Sequence, residues 1–596
     1  MQKYSVNQHL IETLLTWVKS GEIAIPEIQR PFVWDSSKVR DLMDSLYQGF
    51  PVGYVIAWRN PNVRLKDGSM SEGKKILIDG QQRVTALTAA LLGEYVIDKT
   101  YQRVKIKIAF NPILEKFEVQ NPAILKDHTW IPNIAEAVSG EISILKLVRN
   151  YLAVNPEADE DLVERAFTNL INIPKKQIGI IELSHDLDIE TVTEIFIRIN
   201  SKGVVLSQAD FAMSKIASNT EYQGSVLRKA IDYFCHLAIS PEFYKHIVDN
   251  DPEFAKTEFF AKMQWLKSEN EDLYDPEYTD LIRVAFTSQF NRGRLSDLVS
   301  LLSGRNFETR SFEDSIAEQS FEKLKQGVFN FINETHFKRF IMIIKSAGFI
   351  SPKLIRSQNA LNFAYILYLK LRELGVNSVH IESYVKRWFV YSVLTGRYSG
   401  SPESVFDFDI KQIHNRPFDE YLKEKEEGEL SEAFWNASLP QSLDTSVASS
   451  PYFNVFLASQ VKANDRGFLS KDVLVGDLIS LRGDIHHLFP RDFLKKNGLD
   501  RGKYNQIANY VYMQSEINIK VGNKPPKEYF ELVNSQIVSD NRLVSGLASQ
   551  EELLANLKAN CVPAEIMTMG LEDYQDFLVM RRKLMAQKIK DYYFSL

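Results

Sequence analysis

The sequence predicts a multidomain α+β protein, and three observations carry that expectation. At 596 residues the chain is longer than one hydrophobic core can serve. Strand-like and helix-like periodicities alternate through the first 220 residues, after which the strand signal disappears and long amphipathic helical patterns take over. A strand, strand, helix pattern returns only near residue 485. The expected organisation is an α/β domain over 1–220, an all-helical middle domain over 221–435 and a third domain of a hairpin with helices over 436–596.

In chain order, the first domain shows β-rich runs at Val52–Trp58 and Lys75–Ile78 and alternating segments at Val104–Phe110 and Phe117–Val119. From Glu221 to Lys425 the amphipathic stretches include Ser311–Ala347 and Ser357–Leu374. The acidic run Glu424–Glu432 and the Ser-rich segment Ser438–Ser450 have the composition of an exposed linker. No internal repeat of fixed period is present, which argues against a solenoid.

The bulk chemistry excludes several classes. A composition of 44% hydrophobic and 25% charged residues is that of a folded globular protein. The polar start Met1-Gln-Lys-Tyr-Ser-Val-Asn-Gln-His9 lacks an apolar signal run and no stretch approaches a membrane span, so a cytoplasmic protein without membrane partners is expected. Two cysteines, Cys235 and Cys561, are too few for a disulfide framework or a Cys-based zinc module, so any metal must sit on His, Asn, Asp or Glu. The net charge is −6, yet Leu481–Phe530 carries nine Lys or Arg against five acids, a local excess suited to a phosphodiester.

Two constellations stand out. In the first, Lys75-Ile-Leu-Ile78 leads into Asp79-Gly80-Gln81-Gln82-Arg83 and then a run of helix formers, so a strand, a tight turn and a helix follow one another. Such a turn aims backbone N–H groups and the positive end of the helix dipole at one spot. A capping box of Asp79 and Gln82 explains those two residues without a ligand, but a cation at Arg83 in the first helical turn faces the dipole with the wrong sign unless an anion binds there. Gln29 and Arg30 lie in a stiff proline-flanked segment, and Asn200 stands where a helix with Phe196 on its apolar face stops before Gly203, with Ser207 and Asp210 as caps for the next helix. Singly, each of these is more often structural. No Walker A run is present, which excludes an ordinary P-loop ATPase.

The second constellation is Asp484-Ile-His486-His487-Leu-Phe-Pro490, which holds the one His-His pair among ten histidines. Neighbours on a strand point to opposite faces, so one His can hold a metal while the other handles a proton. Asn509 follows in the strand-like Ile507–Met513, and Asn518 heads the helical Ser515–Lys520.

In combination, the Gln-Arg segment, the Asp-Gly-Gln-Gln-Arg turn and the Phe-x-x-x-Asn-Ser-x-Gly segment resemble the ParB/sulfiredoxin-like domain of GmrSD-type (BrxU-like) restriction proteins. The His-His segment with its two later Asn residues resembles the HNH, or ββα-metal, nuclease motif in their C-terminal half. The resemblance implies nucleoside triphosphate binding and hydrolysis at Gln29, Arg30, Asp79, Gly80, Gln81, Gln82, Arg83 and Asn200. It further implies His487 as general base, Asn509 as the residue that orients it, and His486 and Asn518, with Asp484, as ligands of Mg²⁺, Mn²⁺ or a similar ion. Arg491, Lys495 and Lys496 would hold flanking phosphates. Where many HNH sites have Asp or Glu this chain has His486, and where they have a final His it has Asn518, so the ligand set lacks a negative charge unless Asp484 contributes.

The implied function is a type IV restriction endonuclease: a nucleotide-regulated hydrolase that cuts double-stranded phage DNA bearing modified bases such as glucosylated hydroxymethylcytosine, in antiviral defence. A nucleotide-dependent DNA-binding or regulatory protein with an inactive HNH fold is the alternative, and a homodimer is left open. No spacing signature marks a base-reading pocket; Trp34, Trp58 and Trp130 could stack a flipped base, although such aromatics are more often core.

Overall fold

The computed structural model describes residues 3–24, 34–59, 75–97, 103–184, 187, 191, 208–219, 221–269, 271–481, 483, 485–539 and 544–596. They form two compact units, Met1–Ser225 and Val226–Leu596.

The first unit has nine strands among its described residues: β1 (Tyr4–Leu10), β2 (Ile23–Ala24), β3 (Tyr54–Arg59), β4 (Lys75–Asp79), β5 (Tyr95–Ile97), β6 (Arg103–Lys105), β7 (Ile108–Asn111), β8 (Lys116–Val119) and β9 (Gln177–Leu183). Five of them make one mixed sheet in the order β1-β9-β3-β4-β2, and β5–β6 and β7–β8 form separate two-stranded hairpins. β3 runs parallel to β9 and antiparallel to β4, with a register irregularity between Ile56 and Ala57. Alternation places Val55 and Ala57 of β3, Leu77 of β4 and Ile178 and Ile180 of β9 in one buried cluster with Val84 and Leu87 of the helix Gln81–Leu92. Each Val, Leu or Ile among them contributes roughly 1.5–3 kcal/mol on burial. That packing fixes the helix against the central strands, and with it the turn at Gly80.

The second unit is mainly helical. Tyr278–Phe290 packs against both Asp314–Ile332 and Gln358–Glu373, and the last of these is buried continuously from Ala360 to Leu371, as befits a helix with neighbours all round. The amphipathic pattern Ser311–Ala347 forms two helices, because Asn333 ends Asp314–Ile332 and its side chain caps Glu334–Ser346 by accepting from the His336 N–H.

The expected linker over 424–450 is structured. Phe418–Glu429 is helical, a short helix spans Phe434–Ser438, and Trp435, Leu439 and Leu443 are buried. The reason is the C-terminal helix Tyr574–Phe594, which runs beside this segment: Trp435 packs on Tyr593 and Phe594, and Lys590 pairs with Glu432. Polar composition described the outer face only, and three apolar anchors hold the inner one. The same helix ties the two halves of the unit together, since Tyr592 donates to the Ala347 carbonyl, Tyr593 donates to Glu426, and the Ser383 hydroxyl donates to the Leu596 carbonyl.

Candidate functional sites

In the first unit β4 continues through Asp79, which pairs with Ile56, so the turn falls on Gly80 at φ +90°. Gly80 is the N-cap of Gln81–Leu92 and, among the described residues, no side-chain cap hydrogen bond is made there. The capping box of Asp79 with Gln82 is therefore not formed, because Asp79 is still engaged as strand and Gly80 has no side chain to offer. A helix start capped by no side chain has N–H groups suited to an anion.

Arg83 folds back over this turn. Its Nη1 donates to the Tyr54 carbonyl at 2.8 Å, and its guanidinium lies against Gly53 and Gly80: a Cβ on Gly53 would sit 3.1 Å from Nη2 and one on Gly80 would sit 3.4 Å from Nη1. Gly53 has φ +82°, so both glycines are required twice over, for backbone conformation and for room. Burial pushes the Arg83 guanidinium below its ordinary value and Asp79 opposes that shift, yet an arginine stays charged. The Gln81 amide donates to the Leu77 carbonyl at 3.2 Å, which turns it back along β4. Gln29, Arg30 and Asn200, with Phe196, Gly203 and Ser207, lie outside the described residues. Asp210 is buried in the first turn of Gln208–Ser218.

In the second unit β10 (Ile485–His487) pairs antiparallel with β11 (Tyr510–Tyr512), and the helix Ser515–Val521 follows directly. The register sets His487 opposite Tyr510 and His486 opposite Val511, so the two imidazoles leave on opposite faces. His487 is half-buried, edge-on to the Tyr510 ring with centroids 5.1 Å apart. Its Nε2 lies 3.0 Å from Oδ1 of Asn505. With that carbonyl oxygen as acceptor, the ring carries its proton on Nε2 and keeps a lone pair on Nδ1. Burial pushes the imidazole below its ordinary value; the Asn505 hydrogen bond acts the other way, while Arg491 and His486 add to the lowering.

Asn509 is fully buried and does not reach His487. Its Oδ1 accepts from the Phe489 N–H at 2.8 Å, and its Nδ2 donates to the Phe489 carbonyl at 3.1 Å and the Tyr504 carbonyl at 3.3 Å. It clamps the loop after the His-His strand. Tyr529 donates to the Leu488 carbonyl at 3.1 Å, and the buried Arg581 donates from Nη1 to the carbonyls of Ala508 and Tyr510 at 2.8 Å each, on either side of Asn509. The residue that holds His487 is thus Asn505, four positions earlier, at the end of a short helix capped by Asp500. The only sequence signal for it is an Asn in the loop between the two strands.

Asn518 stands half-buried on Ser515–Val521, and Asp484 lies outside the described residues. Among the described residues no group of three or more His, Cys, Asp or Glu side chains is placed to hold a metal ion. Of the three expected ligands, the two described are an imidazole, His486, and an amide, Asn518, a mixed nitrogen and oxygen set that needs Asp484 to bring a charge. Arg491, Lys495 and Lys496, on the helix Arg491–Lys496, are all exposed.

Residues 11–217 match a family model described as GmrSD restriction endonuclease, N-terminal domain. The matched segment contains the Asp79–Arg83 turn. An uncharacterized protein of Methanocaldococcus jannaschii is 22% identical over 642 aligned positions, which cover 98% of each chain. Its likeness therefore spans both units. No described helix is long and apolar enough to cross a membrane.

Proposed function

We propose that the protein is a nucleotide-regulated restriction endonuclease that cuts modified DNA at the His486-His487 hairpin. The observation that carries this reading is the His487–Asn505 pair at 3.0 Å on a two-stranded ribbon followed by a helix. It leaves Nδ1 as the acceptor for a proton from an attacking water, while Asn505 holds the ring by Nε2–H. Exposed Arg491, Lys495 and Lys496 would neutralise flanking phosphates without reading sequence. The match of residues 11–217 to a restriction-endonuclease domain supports the assignment to DNA and to defence.

His486, Asn518 and Asp484 would hold the divalent ion, and the mixed donor set favours Mn²⁺ or another transition ion over Mg²⁺. When bound, such an ion supplies Lewis-acid stabilisation of the phosphate and of the departing 3′ oxygen. At the other site, the N-terminus of Gln81–Leu92 with Arg83 would take the phosphates of a nucleoside triphosphate, and Gln29, Arg30, Asp79, Gly80, Gln81, Gln82 and Asn200 would complete the binding set that the resemblance implies.

The test is cleavage of otherwise identical DNA with unmodified, hydroxymethylated and glucosylated cytosine, with Mn²⁺ or Mg²⁺ and nucleotide. His487→Ala is expected to lose cleavage by about 10²–10⁴-fold and to keep triphosphate hydrolysis, whereas Arg83→Ala is expected to lose triphosphate hydrolysis and the nucleotide dependence of cleavage. Intact modified DNA with the wild-type protein sinks the nuclease reading. Retained DNA binding in that case would leave a nucleotide-dependent binding protein.

A further inference from the structure

Beside the hairpin the second unit contains a cavity of about 560 Å³, within the roughly 300–1,000 Å³ of small-molecule sites and larger than a bare nucleobase requires. It lies next to the candidate nuclease site by construction. Gln506, on its wall, directly follows Asn505, which holds His487. Consecutive Cα atoms are about 3.8 Å apart, so the wall begins one residue from the partner of the general base.

The lining has two chemistries. Leu499, Leu571 and Leu578 offer apolar faces, and Gln506, Gln575 and Asp444 offer amide and carboxylate groups that can address a polar edge. Lys503 is the one cation among the lining residues and pairs with Asp500 at 3.8 Å, while Asp444 pairs with Arg582. A triphosphate calls for several cations at once, so this lining favours a neutral planar ligand. The Gln506 amide donates to the Gly502 carbonyl at 2.8 Å, while its Oε1 is buried with no hydrogen-bond partner.

The walls are held before any ligand arrives. Tyr574 donates to the Lys503 carbonyl at 2.9 Å, the Ile507 N–H donates to the Thr445 carbonyl at 2.9 Å, and Asp444 is ion-paired with Arg582. Apolar faces, edge-reading amides and a preformed shape beside a hydrolytic group are what an extruded base needs.

We infer that this cavity receives a nucleobase flipped out of the DNA duplex beside the phosphate that His487 attacks, with room left over for a substituent on the base. The inference rests on the nuclease reading above. Lys503, 65% exposed at its side chain, meets the backbone of the extruded nucleotide.

The experiment uses the full chain carrying His487→Ala and a duplex that the wild-type protein cuts, with 2-aminopurine placed in turn at each position around the mapped cut. Binding is expected to raise the fluorescence severalfold at one position, as that base leaves the stack. Gln575→Trp, which fills the cavity from its exposed rim, is expected to abolish the rise in a protein that melts like the parent. Gln506→Leu, which removes the amide, is expected to reduce it. A duplex that is cut by the wild type yet shows no rise at any position overturns this inference alone, as does a rise that Gln575→Trp leaves unchanged. If the wild-type protein cuts no duplex, the nuclease reading falls and takes this inference with it.

Discussion

The Gly80 turn and the His487 hairpin hold their key side chains in a similar way, through neutral partners, and the Arg397 and Arg387 sites do otherwise. Arg83 donates to a neutral carbonyl, that of Tyr54, and His487 is held by a neutral amide, that of Asn505. Elsewhere in the second unit two arginines are matched by carboxylates: Arg397 binds Asp409 through two nitrogens, with Tyr398 and Tyr421 also donating to that carboxylate, and Arg387 binds Glu426, whereas the buried Arg581 donates to backbone carbonyls and serves to hold the chain around Asn509. A cation neutralised by a carboxylate has little left for a ligand, whereas one oriented by a carbonyl keeps its charge for an incoming anion. An imidazole oriented at Nε2 by an amide likewise keeps Nδ1 for a proton. The two sites differ in what the fold must supply. The turn needs space and backbone conformation at two glycines, and the hairpin needs a side chain brought in from the loop between its strands.

That comparison can be broken at each side. The largest effect is expected at Asn505: Asn505→Ala should slow DNA cleavage about 10–100-fold by releasing the His487 ring, with triphosphate hydrolysis unchanged, and single-turnover cleavage rates would measure it. An unaffected rate would mean that His487 needs no orientation. Arg83→Ala should weaken nucleotide binding by roughly tenfold or more, the equivalent of about 1.5–3 kcal/mol for a hydrogen bond to a charged group, as read by calorimetric titration. Unchanged affinity would reduce Arg83 to a strand tie.

Asn509→Ala should act on stability first. It strands the buried Phe489 N–H, at about 1–3 kcal/mol, so the unfolding midpoint of the second unit should fall before catalysis does. Loss of cleavage in a protein of unchanged stability would restore to Asn509 the direct role over His487. The smallest effect is expected at Gly53→Ala, where φ +82° costs roughly 1–2 kcal/mol and the new Cβ crowds Nη2 of Arg83. Nucleotide affinity should drop less than in Arg83→Ala, and an increase would show that the guanidinium is better placed elsewhere.

How far the sites were legible follows from the same contrast. The turn was legible almost completely, since a strand over Lys75–Ile78, a turn through Gly80 and a helix after it are all local consequences of composition, and the strand runs only one residue further, to Asp79. Only the cap was left open, because whether Asp79 ends the strand or caps the helix depends on its pairing with Ile56, more than twenty residues away. At the hairpin, alternation foretold the opposite faces of His486 and His487. The resemblance implied Asn509 as the partner of His487, whereas the hydrogen bond of His487 is made with Asn505, for which of two Asn residues four apart reaches the ring is undecided until Arg581 and Tyr529 set the path of the chain.

By itself the sequence determined the local grammar of this protein: the β-rich runs of the first unit, the helical run from Glu221, the strand-turn-helix at Gly80 and the His-His strand with its basic surroundings. These depend on periodicity, glycine conformation and charge within a few residues, which physics settles locally. Only the tertiary structure decided that Tyr54 receives Arg83, that Asn505 receives His487, that residues 424–450 are anchored by the C-terminal helix and that a cavity opens beside the hairpin. Each of these joins segments far apart in the chain, and a hydrogen bond or apolar contact between distant segments has no signature until both are brought to one place.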